Sequence, residues 1–232
     1  MAKTFTKIGK EITIAVKQGG PDVVGNSRLR ALMAEARSEN MPKDNVEKAI
    51  KRALEKNQGD FKEVVFEGYG PHGIAYLVET ATDNNTRTVA NVRSYFTKCG
   101  GSLGTSGSVS FMFDHKCVFR IKYQEGMDID ELQLALCDCD DDPEVFIEEQ
   151  EDKDENITKN VVIYGAYESY GAIQKYIEDN GYELVSGGFE RIPNVELKDV
   201  TPEQRETLDK LTGLLEDDDD VTNVYSTLKP EE

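Results

Sequence analysis

Apolar residues recur every three to four positions through the first 57 residues of the chain. The first stripe has members about one helical turn apart, namely Phe5, Ile8, Ile12 and Val16. Similar stripes run through residues 29–36 and 46–54, and this spacing is typical of amphipathic helices. Gly19-Gly20-Pro21 and Met41-Pro42 separate the stripes, and Asn26 or Ser27 is suited to cap the second helix. The segment is therefore predicted to form three helices.

After a predicted linker at Gln58-Gly59-Asp60, the apolar period shortens to two residues, which indicates strands. The next elements are predicted at 61–67 (strand), 74–80 (strand), 84 or 85 to 98 (helix) and 109–113 (strand), with a turn at 114–116. A β-α-β-β-α-β series follows, with strands at 118–123, 145–149, 161–165 and 182–186 and helices at 130–137 and 169–180. That order is typical of a ferredoxin-like unit.

The C-terminal stretch is predicted to contain a strand over 189–197, a helix from Thr201-Pro202 to Glu216, and a strand over 221–228. The fold class is therefore α+β with three domains. Residues 1–58 form a helical domain, residues 60–115 and 187–232 form an α/β domain, and residues 116–186 form a ferredoxin-like α/β domain inserted into the second.

Charge is divided unevenly along this order. Residues 1–58 contain 12 Lys and Arg and 7 Asp and Glu, a net charge of +5, whereas the remaining residues carry −23. An acidic chain repels polyanions at long range, but a small basic domain is able to contact a phosphate backbone locally. A well-solvated helical face is the simpler alternative.

On a helical wheel, four lysines of the first helix lie on one line opposite the apolar stripe, namely Lys3, Lys7, Lys10 and Lys17. Ile14 lies among them and is predicted to be exposed. Lys48, Lys51 and Arg52 form a second basic patch on the third helix. Two basic faces on one small domain exceed what solubility requires, which favours a nucleic-acid contact.

Two glycine-rich runs are candidate phosphate sites. Gly68-x-Gly70-x-x-Gly73 resembles a dinucleotide fingerprint by letter, but a strand follows it rather than a helix, so a tight hairpin connection is favoured. Gly101-x-x-Gly104-x-x-Gly107 is interpreted as a flexible loop. It follows Arg87, Arg93 and Lys98 in sequence, so a phosphate contact there stays open.

The chemistry-bearing residues indicate no complete catalytic or metal site. His72 and His115 are both predicted in turns, and no Cys–His spacing typical of zinc occurs. The acidic run 137–142 (CDCDDD) lacks the spacing of a calcium loop and is interpreted as solvated. The four cysteines suggest reduced thiols in a cytoplasm. No apolar run is long enough to span a membrane, and the N-terminus lacks the apolar region of a signal peptide.

Several motifs together resemble one known family. They are ENMPKDN (39–45), FEGYGP (66–71), TDN (82–84) with RTV (87–89), GGSLG (100–104), and DDDV (218–221) with NVY (223–225). In order and over nearly the whole chain, they are similar to the YebC family of probable transcriptional regulators. The family begins with a further basic stretch that includes a Lys-Trp, and this chain has no tryptophan.

The resemblance implies a three-domain fold and binding to DNA, or to RNA in the case of translation factors associated with the ribosome. The chain is thus predicted to be a non-enzymatic, cytoplasmic regulator without cofactor or metal. Its expected partners are DNA, ribosomal or transfer RNA, or the ribosome, with no membrane partner and a monomeric state favoured. The alternative is an acidic protein-interaction adaptor. The predicted contact residues are Lys3, Lys7, Lys10, Lys17, Lys43, Lys48, Lys51, Arg52, Arg87 and Arg93.

Overall fold

The computed structural model describes residues 2–55, 60–151 and 157–231. Three helices come first, as predicted: α1 (Ala2–Gly19), α2 (Ser27–Ser38) and α3 (Lys43–Leu54). Asn26 caps α2 by accepting a hydrogen bond from the Leu29 amide through its side chain. Of the predicted linker, Gln58 and Gly59 lie outside the described residues.

The first sheet has the strand order β3-β1-β2-β8. Its elements are β1 (Lys62–Tyr69), β2 (Ala75–Thr82), α4 (Asn85–Lys98), β3 (Ser102–Leu103), α7 (Pro202–Glu216) and β8 (Val221–Ser226). The predicted hairpin between β1 and β2 is confirmed, because the two strands pair antiparallel with Tyr69 opposite Ala75. Side chains of both helices, including Phe96 and Leu211, pack with Tyr76 of β2 in one apolar core.

The second sheet has the strand order β5-β6-β4-β7, which is the ferredoxin-like arrangement predicted from the sequence. Its elements are β4 (Phe113–Lys122), α5 (Ile129–Leu136), β5 (Glu144–Glu151), β6 (Ile157–Ala166), α6 (Tyr170–Asp179) and β7 (Leu184–Pro193). Phe119 of β4 and Ile173 of α6 are fully buried in the core of this unit, to which Ala31 of α2 also contributes.

The strand predicted at 109–113 and the turn predicted at 114–116 are both wrong. Residues 110–112 form a short 3₁₀ turn because the amides of Val109 and Ser110 donate to the Glu67 carboxylate instead of to a strand. The polar run that follows lies within β4, where the His115 ring stacks on Tyr167 with 4.4 Å between centroids.

The separate strands predicted at 182–186 and 189–197 are a single strand, β7. Gly187-Gly188 falls between the two predicted strands, but Gly187 has a packing role within β7. A Cβ atom at Gly187 would lie 2.8 Å from the Phe119 ring. Glycine is thus required there because the strand backbone closely approaches a buried aromatic ring.

The chain divides into two compact units. The first consists of Met1–Ile14, Lys51–Asp114 and Arg191–Glu232, and contains the first sheet. The second consists of Ala15–Ile50 and His115–Glu190, and contains the second sheet. The three helices at the N-terminus are thus shared between the units. The predicted division into three domains stays a prediction.

Candidate nucleic-acid interface

The lysines at the start of α1 contact the acidic corner, defined here as residues 216–220 (EDDDD). Lys3 forms an exposed ion pair with Asp217 at 2.6 Å. Lys7 donates to the backbone carbonyl of Glu216 at 3.2 Å, and partial burial lowers the pKa of Lys7. Two of the predicted contact lysines are therefore already bound to carboxylate or carbonyl oxygens of the same chain.

Lys10 and Arg87 both bind Asp220, the most enclosed carboxylate of the acidic corner. Lys10 is only 9 % exposed, and its Nζ lies 2.8 Å from Oδ1 of Asp220. The Arg87 guanidinium donates to Oδ2 at 2.6 Å, and the Thr88 hydroxyl donates to the same atom at 2.9 Å. Burial acts to raise the pKa of Asp220, but these hydrogen bonds outweigh it and hold that pKa at about 2.

Asp218 accepts hydrogen bonds from two side chains of α4. The Asn91 amide donates to Oδ2 of Asp218 at 3.1 Å, and the Tyr95 hydroxyl donates to it at 2.9 Å. Burial, together with this bond and the nearby charge, raises the pKa of Tyr95 to about 12. Negative charge directly after α7 is unfavourable for the helix dipole, and these donors explain why the sequence tolerates it. The acidic corner is thus a structural junction.

The expectation that Ile14 is exposed is wrong, since it is only 5 % exposed. The helical wheel assumed that α1 buries one face and leaves the lysine line in solvent. Ile8, Ile12, Ile14 and the lysine-line residue Lys10 are all buried, so the helix is covered on more than its apolar side. Lys10 is enclosed because it has a carboxylate partner, which compensates for its desolvation.

The remaining predicted contact residues differ in surroundings. Arg52 lies over the Phe61 ring at 4.3 Å, and its Nε has no hydrogen-bond partner within the described part of the chain. The exposed members are Lys17, Lys43, Lys48, Lys51 and Arg93. Among the described residues, Lys43, Lys48, Lys51 and Arg93 form no ion pair, which distinguishes them from the lysines bound to the acidic corner.

The glycine-rich run 100–107 is held in place by Glu67, a residue that the sequence reasoning missed. Glu67 is 5 % exposed, and its carboxylate accepts bonds of 2.8 Å from the amides of Gly107, Val109 and Ser110. Burial acts to raise the pKa of Glu67, but the three amides lower it on balance. The interpretation as a flexible loop does not fit this anchoring. An acidic residue inside the stretch VVFEGY (64–69), which is otherwise free of charge, was the available signal.

The acidic run 137–142 is not uniformly solvated, contrary to expectation. Asp140 is 7 % exposed and accepts hydrogen bonds from the amides of Asp142 and Ala166. These bonds and the Ser169 hydroxyl outweigh burial and lower the pKa of Asp140. No group of three or more potential metal ligands occurs in the ranges that the structure describes. No described helix is long and apolar enough to cross a membrane.

Comparisons with known proteins confirm the family resemblance. Residues 1–56 match the TACO1/YebC protein N-terminal domain, and residues 61–228 match the TACO1/YebC second and third domain. A relative from Parabacteroides distasonis is 58 % identical over the whole of this chain and 91 % of its own length. A relative from Porphyromonas gingivalis is 56 % identical with the same coverage. Both are named "Probable transcriptional regulatory protein".

A solved structure agrees with the fold over the full chain. It is the crystal structure of a conserved hypothetical protein from Aquifex aeolicus, with a TM-score of 0.80 and 32 % sequence identity. The match covers 100 % of this chain and 91 % of that chain.

Proposed function

Because this chain belongs to the TACO1/YebC family, we propose that it is a cytoplasmic, non-enzymatic regulator of gene expression that binds nucleic acid through exposed cations of its N-terminal helices and of α4. The relatives are named as probable transcriptional regulators, which supports a regulatory role. The step from regulator to nucleic-acid binding rests on the distribution of charge.

The supporting observation is the contrast between two groups of cations. Lys3, Lys10 and Arg87 form ion pairs with carboxylates of the first unit, so a phosphate would have to displace an internal partner. Lys43, Lys48 and Lys51 are exposed on α3 and form no ion pair with any described residue. In a chain of net charge −18, exposed lysines without acidic partners are available for phosphate oxygens.

This contrast changes which residues carry the proposal. The sequence favours the lysine line of α1, whereas exposure and the lack of ion pairs with described residues favour the lysines of α3, with Arg93 of α4 as a separate candidate. DNA and RNA both present phosphates, and the supporting observation does not distinguish them. If the chain is instead an adaptor that acts only through its acidic surface, replacing these cations should not change its affinity for any nucleic acid.

The test is a charge-reversal experiment with a control of matched charge. The triple variant Lys43→Glu, Lys48→Glu and Lys51→Glu should lose most affinity for a labelled DNA duplex or RNA hairpin. The control reverses Lys175, Lys198 and Lys210, which are also exposed and form no ion pair with described residues. Its affinity should fall less, because its cations lie outside the proposed surface.

Fluorescence anisotropy over a salt series provides the readout. Each lost phosphate contact should reduce the magnitude of the log–log salt slope by roughly 0.9 on duplex DNA. Equal losses in the triple variant and in the control would mean that only net charge matters and would contradict the proposal. Parallel titrations with DNA and RNA, followed by co-sedimentation with ribosomes, would separate transcriptional from translational targets.

A further inference from the structure

Phe111 is an exposed aromatic side chain on an unusually well-fixed piece of backbone. Phe111 is 66 % exposed. Phe113, two positions later, is only 5 % exposed and lies in a small apolar core with Ala75 and Leu77. An isolated exposed apolar residue is ordinary on a protein surface. Phe111 differs from such residues because its backbone is held by several hydrogen bonds.

Hydrogen bonds fix the chain on both sides of Phe111. The Ser110 amide donates to the buried Glu67 carboxylate at 2.8 Å, and the Asn194 side-chain amide donates to the Phe111 carbonyl at 3.3 Å. The Met112 carbonyl accepts from the Asn194 backbone amide at 2.9 Å. The ring is therefore presented on a backbone that loses little further freedom when it binds a partner.

Glu67 also brings the tip of the glycine-rich loop close to Phe111. One oxygen of its carboxylate accepts from Gly107, and the other accepts from Val109 and Ser110. Gly107 and Ser110 are therefore held around a single carboxyl group. The exposed hydroxyl-bearing residues Thr105 and Ser106 lie immediately before Gly107. Aromatic, hydroxyl and backbone groups thus share one small surface.

The stretch of sequence that leads up to this surface, from Asn84 to Phe113, is free of acidic residues. The chain contains 45 Asp and Glu, yet none occurs from Asn84 to Phe113, whereas Arg87, Arg93 and Lys98 do. The segment 105–113, which contains Phe111 and the end of the loop, therefore carries no carboxylate, and the neighbouring Asp114 accepts a hydrogen bond from the Asn194 side-chain amide at 2.9 Å. This charge complementarity favours a nucleic-acid strand over an acidic or purely apolar partner.

We infer that Phe111 is a stacking platform for an unpaired base of a single-stranded nucleic acid, and that Glu67 is the positioning residue that holds the platform and the adjacent loop. This inference rests on the proposed function and deepens it. Bases stack on aromatic rings with little regard to sequence, and they are accessible for this only where the strand is unpaired. The exposed hydroxyls of Thr105 and Ser106 contact the sugar-phosphate backbone beside the stacked base.

The test compares single-stranded and duplex probes with one set of variants in the full chain. The single-stranded probe is an unstructured, uridine-rich RNA of about 12 nucleotides, within the usual site size for such surfaces, and its duplex with a complementary strand is the second probe. Phe111→Ala should weaken binding of the single strand about ten-fold or more, as expected for a lost stacking contact, and change duplex binding by less than about two-fold.

Two variants serve as controls in the same titrations. Phe111→Tyr keeps an aromatic face and should bind the single strand like the wild-type chain. Leu134→Ala removes a side chain that is also highly exposed, at 74 %, but lies in the second unit, and it should leave both affinities unchanged. Thermal unfolding by circular dichroism should be similar for all three.

The outcomes distinguish this inference from the proposed function. If the wild-type chain binds nucleic acid but Phe111→Ala does not weaken this binding, or Phe111→Tyr binds as weakly as Phe111→Ala, the stacking platform alone is overturned. The exposed ring would then be explained by a protein partner. Absence of any nucleic-acid binding by the wild-type chain overturns both. Selective loss of single-strand affinity with rescue by tyrosine supports both.

Discussion

The ammonium group of Lys10 lies 2.8 Å from the carboxylate of Asp220, and both side chains are nearly enclosed, with 11 % and 6 % exposed. The lysine also donates to the backbone carbonyls of Ala81 and Asp219. This pair ties the start of α1 to the ends of β2 and of the acidic corner within the first unit. It gives Lys10 a structural role rather than a place on the surface.

The first prediction concerns stability. Replacing Lys10 with Ala should lower the free energy of unfolding by about 3–5 kcal/mol, because Asp220 would remain buried without one of its partners. Lys3→Ala, which removes an exposed ion pair, should change it by less than about 1 kcal/mol. Urea unfolding followed by circular dichroism measures both values, and similar losses in the two variants would contradict the assignment.

The same pair corrects a simpler expectation about charge reversal. From the sequence alone, the combined change of Lys3, Lys7 and Lys10 to Glu should have abolished binding without unfolding the protein. With Lys10 buried against Asp220, a glutamate at that position would place two carboxylates together in an enclosed site. The lysine line of α1 is therefore unsuitable for testing nucleic-acid binding, and the exposed lysines of α3 are preferable.

The second prediction concerns acid. The pKa of Asp220 is depressed to about 2 in the folded chain from an ordinary value of 3.8. Its contribution to stability is therefore complete above about pH 4 and is lost as pH falls from about 4 to about 2. Urea midpoints measured across this range should fall more steeply for the wild-type chain than for Asp220→Asn. If the urea midpoints of the two chains fall in parallel with pH, Asp220 is not the group responsible for the loss of stability in acid.

The third prediction concerns the loop anchored by Glu67. Glu67→Gln removes the charge that the three amides share and should cost about 1–3 kcal/mol of stability. Hydrogen exchange at Gly107, Val109 and Ser110 should accelerate relative to the amide of Gly70, which donates to Ile74 in the β1–β2 hairpin and serves as an internal reference. Unchanged exchange at the three loop amides would refute the anchoring role.

The fourth prediction compares two glycines. A Cβ atom at Gly101 would lie 2.5 Å from the Tyr69 carbonyl oxygen, so Gly101→Ala should destabilise the chain by forcing β1 and the loop apart. Gly171 lies within α6 with no heavy atom within 4 Å of its added Cβ, so Gly171→Ala should stabilise the chain by about 0.5–1 kcal/mol. The midpoint temperature of thermal unfolding should fall for Gly101→Ala and rise for Gly171→Ala. Shifts in the same direction would contradict this account of the local packing.

Periodicity predicted most helices and strands because each buries one face with a regular spacing. It correctly located α1 to α3, the capped helix α4 and the ferredoxin-like order of β4 to β7. It failed where polar or glycine residues lie inside a strand. His115 within β4 and Gly187 within β7 looked like breaks because their packing partners, Tyr167 and Phe119, are distant in sequence.

The candidate site was harder to predict for a related reason. A helical wheel shows which side chains share a line on α1, but it does not show whether a distant carboxylate will cover that line. The acidic corner looked like a solvated charge run, and its role as partner of Lys10, Arg87 and Tyr95 depends on contacts more than 100 residues apart. Glu67 was missed because its donors lie some 40 residues away.

The most direct test of the central claim is the salt dependence of nucleic-acid binding by the full wild-type chain. Anisotropy titrations of a DNA duplex and an RNA hairpin between about 50 mM and about 300 mM salt would give the slope of log affinity against log salt. Three or four phosphate contacts by the exposed cations predict a slope of about −3 on duplex DNA. Binding that is undetectable at the lowest salt, or a slope near zero, would contradict the claim that this acidic chain binds a phosphate backbone through its exposed cations.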